Sequence, residues 1–585
     1  MNAFLLFESL RPAGNEQKSF QIQDPEEVLQ CFSLEEVGPL LQKVESRARD
    51  GCLAAGFVTY EAGFAFLPAM PEAEPPPLPL VWFAVTRRPR FVKCGEFEGA
   101  SDRSDVKGLA LSKSPEQYGE AIERIKRHIE RGDTYQVNYT MRYRGTHEGS
   151  PLSLYQRLRS RQRVNYAAFI QTDAWAVISL SPELFFRRSG RTVIMRPMKG
   201  TAARGRTLRE DEAQARSLRE SPKETSENLM IVDLLRNDLG KICEPGSIRV
   251  SSPMQVEKYE TLLQMTSTIE GRLLDSCGTA DLFEATFPSG SVTGAPKVRT
   301  MQIIHELESE PRGIYTGAVG YLTGSDSVFN VAIRTAFIDR MTGGLEMGVG
   351  SGILHEADTA REYNECVLKA RFLEEAQRPF RLFETIRWTP QDGFVNLEMH
   401  LDRMLDSAAY FLFPVDRDSL RKALVVKSET PLRVRLLLDE NGSIEVESEP
   451  LDPTPSPLRV CLANESTCSV DRFLFHKTTH RELYERELSR ARSLGFFDVI
   501  FRNEKDEITE GAISNIVIRK GNDYLTPPVE CGLLPGTLRR YLMEARPVPI
   551  QERVLTVADL LQADAVYLTN ALRGMVQVEL EVNHP

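Results

Sequence analysis

The sequence predicts an α+β chain in two successive units, the first built on a large antiparallel β-sheet. Three observations carry this. Segments of alternating, β-branched residues recur from Thr134 to Ile338, the period-two pattern of half-buried strands. Between them, apolar residues return every three or four positions, as in helices that bury one face. After Ala376-Gln377-Arg378-Pro379 the pattern restarts with its own strand-helix-strand order, so a second unit begins near Pro379.

In chain order, Pro68 to Pro79 holds six prolines in twelve residues, which predicts an extended surface loop. Tyr118, Ile122, Ile125 and Ile129 predict an amphipathic helix from Pro115, stopped at Gly132-Asp133. Strands are predicted at Thr134–Thr140, Ala174–Phe186 and Thr192–Arg196, and helices at Glu224–Leu239 and Thr359–Ala376. Ile314–Leu322 and Ser327–Ile338 read as strands between those helices. In the second unit a strand opens at Arg381–Arg387, and Pro450–Pro457 reads as an inner linker. No repeat of fixed period and no low-complexity tract is present.

The 585 residues are too many for one core and predict two or three domains. A net charge of −11 argues against nucleic acid, whose phosphates need a basic face. The start, Met1 to Glu8, lacks the basic residues and apolar length of a signal peptide. No apolar run approaches a membrane span. Nine scattered cysteines without a C-x-x-C spacing indicate neither a disulfide framework nor a zinc knuckle, and a reducing cytoplasm is expected.

The chemistry-bearing residues begin with Lys199, in Met195-Arg-Pro-Met-Lys-Gly-Thr201. Glu224-x-x-Glu227 and Glu362-x-x-Glu365 follow. Residues three apart share a helix face, so each pair can present two carboxylates to one site. Together they suit Mg²⁺, a hard cation that takes oxygen ligands and keeps room for water and an anionic substrate. Taken singly, a Glu-x-x-Glu pair is usually a solvated face, and a lone lysine is usually on the surface.

Number and order of motifs change that. Gly132–Asn138, Ser181-Pro-Glu-Leu-Phe185, Pro197–Thr201, Glu227–Asp238, Phe287–Lys297, Tyr315–Tyr321 and Glu362–Ala370 together resemble the chorismate-utilising enzymes, most nearly the aminodeoxychorismate synthases. The resemblance implies an antiparallel sheet sandwich with helices, residues 1–115 forming an outer subdomain and 116–376 the catalytic domain. It implies that Glu227 and Glu365 hold Mg²⁺, with Glu224 and Glu362 helping through water. Tyr315, Arg334 and Lys369 would grip the enolpyruvyl side of chorismate, with Thr293 and the backbone at Gly350 and Gly352 as further contacts. Lys199 would be the nucleophile and Glu183 its proton acceptor. Gln136 stands where water-adding relatives carry a lysine, and anthranilate synthases carry alanine in place of Lys199 and histidine in place of Gln264. The segments Leu5–Ser9 and Gly56–Glu61 resemble a region that holds tryptophan in some relatives.

The second unit, 379–585, resembles the fold-type IV pyridoxal-phosphate enzymes, a two-subdomain α/β fold. The stretches are Leu382–Arg387, His400-Leu-Asp-Arg403, His476-Lys-Thr-Thr479, Ile508–Asn515, Gly532–Arg539 and Thr569–Gly574. By resemblance Lys477 carries pyridoxal 5'-phosphate, Glu510 faces its ring nitrogen, and Arg403 with Gly536, Thr537, Leu538 and Asn570 holds its phosphate. The stretch that precedes Phe-Glu-Thr in free-standing relatives is missing, so this unit either borrows support from the first half or has lost activity. A homodimer through this unit fits the resemblance.

The two halves are expected to act in sequence, making 4-amino-4-deoxychorismate and splitting it to 4-aminobenzoate and pyruvate. No cysteine lies in a Gly-Cys-x-Gly setting, so ammonia is expected from a separate glutamine amidotransferase. Three alternatives remain: an anthranilate synthase component, a second half acting as a D-amino-acid or branched-chain aminotransferase, and an inactive second half kept for assembly.

Overall fold

The computed structural model describes residues 2–11, 18–67, 70, 77–93, 104–373, 379–454, 457–545 and 549–581. Its contacts divide the chain into two units. One comprises Met1–Ala203 and Ala215–Gln377, the other Arg204–Gln214 and Arg378–Pro585. The expected outer subdomain thus shares a unit with the catalytic domain, and a short piece of the first half belongs to the second unit. Most of the proline-rich segment lies outside the described residues; Leu78 and Leu80, at its end, are buried.

Among the described residues the first unit holds two ten-stranded sheets. One runs from Gly294–Ala295 through Gln136–Gly149, Gly344–Ile353, Thr335–Asp339, Trp175–Ser181 and Tyr166–Thr172 to Ala3–Glu8 and beyond. The other runs from Met198–Ala203 through Leu262–Arg272, Thr192–Arg196, Leu184–Ser189, Asp326–Val331 and Ala318–Thr323 to Leu53–Val58 and beyond. One buried cluster mixes side chains of both, including Phe57 and Trp82 from the second sheet and Val177 from the first. The Trp82 ring meets Trp175 edge-on at 5.3 Å and stacks on Phe57 at 6.1 Å. Such ring pairs contribute roughly 0.5–1.5 kcal/mol each beyond area burial. Two further clusters bury the helices against the sheets.

Two predicted strands prove to be strand pairs that change sheets. Ala174–Phe186 breaks at Pro182-Glu183, with Trp175–Ser181 in one sheet and Leu184–Ser189 in the other. Ser327–Ile338 likewise divides into Asp326–Val331 and Thr335–Asp339. The second break includes Arg334 at φ 49°, a left-handed conformation that interrupts a strand. Ile314–Leu322 also starts later than expected, with its strand at Ala318–Thr323. These corners carry Glu183 and Arg334, charged residues between the apolar stretches on either side.

The helices fall near their predicted positions. Pro115–Glu130 buries Tyr118, Ala121, Ile122 and Ile125 and starts on a Ser114/Gln117 capping box, a cap that stabilises by about 1 kcal/mol. Pro222–Gly240 is capped by Ser221, whose hydroxyl accepts from the Glu224 amide. Glu224 in its first turn is favoured by the helix dipole. The last helix of the unit, Thr359–Ala370, ends earlier than predicted and passes into a 3-10 turn at Arg371–Leu373.

The Leu5–Ser9 segment is packed by its own side chains. Leu5, Leu6 and Phe7 are buried, and Glu8 accepts from Tyr155 at 2.7 Å and pairs with Arg159 at 2.8 Å. A side chain at Gly56 would lie 1.9 Å from the Trp82 carbonyl oxygen.

The second unit has a four-stranded antiparallel sheet and an eight-stranded mixed sheet, each with its own core. Leu382–Thr389 leads the first, its alternating Leu382, Glu384 and Ile386 buried on one face. The chain carrying Lys477 is stitched to this strand. Phe383 N donates to the Lys477 carbonyl at 3.0 Å, and Thr479 N to the Arg381 carbonyl at 2.9 Å.

Candidate active site

Each unit contains one cavity that gathers the residues singled out from sequence. In the first unit, Glu183, Lys199, Glu224, Glu227, Tyr315, Arg334, Gly350, Gly352, Glu362, Glu365 and Lys369 all line the same cavity. Thr293 stands behind the wall, buried, its hydroxyl donated to the Ser289 carbonyl at 3.0 Å. Its own carbonyl accepts from the Asn138 amide at 2.8 Å, so it braces a lining residue.

Local geometry explains the convergence. The strand Met198–Ala203 shifts register against Leu262–Arg272 between Met198 and Thr201, and Gly200 within it has φ +91°. Such a bulge re-aims a side chain, here Lys199. A side chain at Gly200 would also press on Glu224 Oε2 at 3.1 Å. Gly348, Gly350 and Gly352 alternate on the strand Gly344–Ile353 and so share one face. A Cβ at Gly348 would lie 2.0 Å from the Tyr315 ring. At Gly352 it would lie 2.3 Å from Gln136 Nε2 and 3.0 Å from Lys199 Nζ. These glycines keep the floor open beneath the amine.

Desolvation lowers the Lys199 amine from its ordinary value, against the pull of Glu227 and with help from Lys369. Glu183 is 3 % exposed, and burial pushes its carboxyl up to about 7. Its Oε1 accepts from the Ser291 hydroxyl at 2.6 Å. An amine whose proton is loosened by desolvation and a carboxyl raised to about 7 form a pair that can pass one proton. Ser291 was not singled out from sequence, although it lies within the Phe287–Lys297 motif.

Beside the amine, burial raises Glu227, with Glu224 and Glu362 adding repulsion and Lys199 opposing it. Burial and the Glu365 charge likewise raise Glu362. Glu365 is lowered in spite of burial because Lys369 lies 2.7 Å away. Lys369 also donates to the Gly350 carbonyl at 2.9 Å, so the expected substrate-gripping amine is already tied to the floor. Among the described residues no three carboxylates stand close enough to enclose an ion by themselves. The set fits Mg²⁺ all the same, because that ion binds through one or two carboxylates and takes its remaining ligands from water and substrate.

The second unit's cavity, of about 810 Å³, is lined by Arg403, Lys477, Glu510, Gly536, Thr537, Leu538 and Asn570. It falls within the roughly 300–1,000 Å³ typical of cofactor sites. Desolvation, with Arg403 and Arg481 adding repulsion, lowers Lys477 to about 7, and its amine sits 4.7 Å from the Phe383 ring centre. Glu510 is 6 % exposed, raised to about 8 by burial, and accepts from Tyr484 at 3.0 Å. Arg403 donates through Nε and Nη2 to Glu384 at 2.8 and 2.7 Å. Burial alone would raise Glu384, but Arg403 and His400 hold it near 2. A Cβ at Gly536 would fall 2.0 Å from Asn515 Oδ1, so only glycine fits there. Gly536 immediately precedes the helix Thr537–Ala545, whose first amides suit a phosphate. This donor set fits pyridoxal phosphate. Glu384, Phe383 and Tyr484 were not singled out, though the first two lie in a quoted motif.

Comparison with known proteins agrees with this division. Residues 4–375 match the family described as chorismate binding enzyme, and residues 381–580 match amino-transferase class IV. The aminodeoxychorismate synthase component 1 of Bacillus subtilis is 40% identical over 261 residues, 44% of this chain and 55% of that protein. The anthranilate synthase component 1 of Aquifex aeolicus is 38% identical over 274 residues, 46% of this chain and 55% of that protein. The chain thus spans about half the length of the curated relatives it matches. The crystal structure of anthranilate synthase component I from Streptococcus pneumoniae superposes with a TM-score of 0.51 and 25% identity, covering 64% of this chain and 92% of that one.

Proposed function

The chain belongs to the chorismate binding enzyme family through residues 4–375, and on that premise we propose that it makes 4-aminobenzoate in two steps. The first unit converts chorismate and ammonia to 4-amino-4-deoxychorismate. The second removes pyruvate from that product. The observation that carries the reading is the Lys199–Glu183 pair, an amine lowered by desolvation in one cavity with a carboxyl raised to about 7.

In the first step Glu183 takes the proton of the Lys199 ammonium, and the freed lone pair attacks the ring. The bond to the 4-hydroxyl breaks, and the proton on Glu183 leaves with that oxygen as water. Ammonia then displaces Lys199 and places nitrogen on carbon 4. Glu227 and Glu365 would hold Mg²⁺, with Glu224 and Glu362 acting through water. The ion supplies charge stabilisation for a substrate carboxylate. Tyr315 and Arg334 bound the cavity where the substrate's enolpyruvyl side would lie. Ammonia comes from a glutamine amidotransferase partner.

In the second unit Arg403, Gly536, Thr537, Leu538 and Asn570 would bind the phosphate of pyridoxal phosphate, with Glu510 at its ring nitrogen. Bound there, the cofactor supplies an electron sink. Lys477, with a pKa of about 7, can exist as a free amine and take the ring proton whose loss aromatises the product.

Purified chain supplied with chorismate, ammonium, Mg²⁺ and pyridoxal phosphate tests the whole reading. 4-Aminobenzoate and pyruvate in equal amounts are expected by chromatography. Anthranilate as the amino product would point to the other relatives of similar identity and sink the Lys199 scheme.

Two further outcomes follow from the charges. Chelation with EDTA should abolish chorismate consumption and be reversed by added Mg²⁺, while cleavage of supplied 4-amino-4-deoxychorismate continues. Equal loss of both steps would place the metal elsewhere. For pH, the working pair holds one proton. A second proton, taken up by Glu183 as pH falls through about 7, leaves no acceptor for Lys199. The kcat/KM for chorismate should therefore fall about tenfold per unit on the acid side. Glu183→Gln should lower the rate and remove that limb; a limb that persists unchanged would belong to another group.

A further inference from the structure

The second unit includes Arg204–Gln214, a piece of chain lying far from the rest of that unit in sequence. It is held there by a dense set of buried contacts. Arg204 pairs with Asp211 at 2.6 Å, side chains 4 % and 0 % exposed, and the Gly205 amide donates to the same carboxylate at 2.8 Å. These bonds tie residues 204–207 to the first turn of the helix Leu208–Glu220 and close this stretch into one compact piece, the Arg204–Asp211 turn. Tyr410 then clasps it from the other side. Its hydroxyl donates to the Gly205 carbonyl at 2.7 Å, and its carbonyl accepts from Arg204 Nη2 at 2.6 Å. The Arg204 guanidinium lies 4.4 Å from the Tyr410 ring centre.

The turn reaches the residue next to Lys477. His476 Nε2 lies 3.1 Å from the Arg206 carbonyl oxygen. A carbonyl only accepts, so Nε2 carries the hydrogen. Nδ1 is then the bare nitrogen and accepts from the Ser407 hydroxyl at 2.9 Å. Both imidazole nitrogens are satisfied in the neutral ring, and burial lowers its pKa to about 3. Tyr410 stacks on the same ring at 4.4 Å and 27°. The imidazole is fixed in place, tilt and tautomer by residues that do not line the cavity, apart from its own neighbours in sequence.

We propose that the Arg204–Asp211 turn is a positioning element of the second site, holding His476 and through it the main chain that presents Lys477. Lys477 is thereby clamped from two directions. The strand Leu382–Thr389 holds its carbonyl, and the turn holds the preceding side chain. Arg206 adds a bond to the Ser469 carbonyl at 3.1 Å and lies 4.7 Å from the Phe475 ring centre, one residue further back. Arg204 follows Lys199 by five positions in the sequence. One short run of chain therefore carries the nucleophile of the first site and the clasp of the second. The proposal rests on the reading of Lys477 as the cofactor-bearing lysine.

The test uses the full-length chain with Asp211→Asn, which removes the ion pair, and Tyr410→Phe, which deletes one hydroxyl and keeps the ring stack. Two quantities are read. One is the dissociation constant for pyridoxal phosphate, followed by absorbance and by borohydride fixation to the Lys477 peptide. The other is the pH midpoint for acylation of Lys477 in cofactor-free chain, where Arg403, Arg481, Glu384 and Glu510 surround the amine. Asp211→Asn should weaken cofactor binding by about tenfold or more, the cost of a lost charge-assisted buried bond, and Tyr410→Phe by less. In both, the midpoint should rise from about 7 as Lys477 loses its fixed, desolvated setting, with ammonium-dependent chorismate consumption kept. Loss of both activities together with a lowered Tm in Tyr410→Phe would make these contacts a support of the whole chain and overturn the positioning role.

Should both variants match the wild type in affinity and midpoint, the turn has no positioning role and the proposal is overturned. Wild-type chain that takes up no pyridoxal phosphate would remove the reading of the second cavity itself, a different failure. If Asp211→Asn does not fold, Tyr410→Phe decides the matter alone, since it deletes a single oxygen atom.

Discussion

Lys199→Arg is expected to slow formation of 4-amino-4-deoxychorismate by on the order of 10³-fold or more, the scale seen when a covalent nucleophile is removed. Arginine is the demanding substitution because it keeps the positive charge and nearly the length. What it loses is the lone pair, since a guanidinium is never deprotonated in proteins. The native setting favours the lone pair: desolvation lowers Lys199, and the scheme's proton acceptor, Glu183, is raised to about 7 in the same cavity. The floor beside Nζ is glycine, so the substrate ring can approach the amine. Chorismate with Mg²⁺ and no ammonia should leave a mass adduct on the Lys199 peptide of the wild type and none in the variant. Full-speed turnover by the arginine chain would falsify covalent participation outright.

Lys477→Ala is expected to stop the second step by a comparable factor, so that 4-amino-4-deoxychorismate accumulates where 4-aminobenzoate formed before. Lys477 has two roles in the scheme, anchoring the cofactor and moving the ring proton, and both need a nitrogen that is free at neutral pH. Burial beside Arg403 and Arg481 provides that, bringing it to about 7. Borohydride should fix pyridoxal phosphate to the Lys477 peptide of the wild type and to no peptide of the variant. Retention of label on another lysine, with cleavage intact, would move the anchor elsewhere. Addition of a 2-oxo acid separates this reading from an aminotransferase, whose rate would depend on it.

Much of this was legible before folding. The helix at Pro115–Glu130 announced itself by the apolar spacing of Tyr118, Ile122, Ile125 and Ile129 and by Gly132-Asp133 at its end. The glutamate pairs were readable because a three-residue spacing on a helix has one geometric outcome. The strand pairs were not. Trp175–Ser181 and Leu184–Phe186 are buried and strand-like on either side of Pro182 and Glu183, so two strands read as one and the change of sheet does not show in the pattern. Helix ends were also misjudged: Thr359–Ala370 stops well before Ala376, because the apolar pattern persists into the 3-10 turn that follows.

The sequence by itself determined the chemical inventory: which amines, carboxylates and glycines exist, in what order, and on which kind of element. Tertiary structure alone decided their state and their company. Whether Lys199 carries a proton depends on desolvation and on Glu183 and Glu227, residues brought near only when strands change sheets and helices pack. Whether Lys369 is free depends on Glu365 and the Gly350 carbonyl. The most distant case is Arg204–Asp211, whose place beside His476 no local pattern could forecast. Spacing along a chain fixes which residues can share a face, while pKa and hydrogen-bond partners depend on every atom within a few ångströms, wherever in the sequence it comes from.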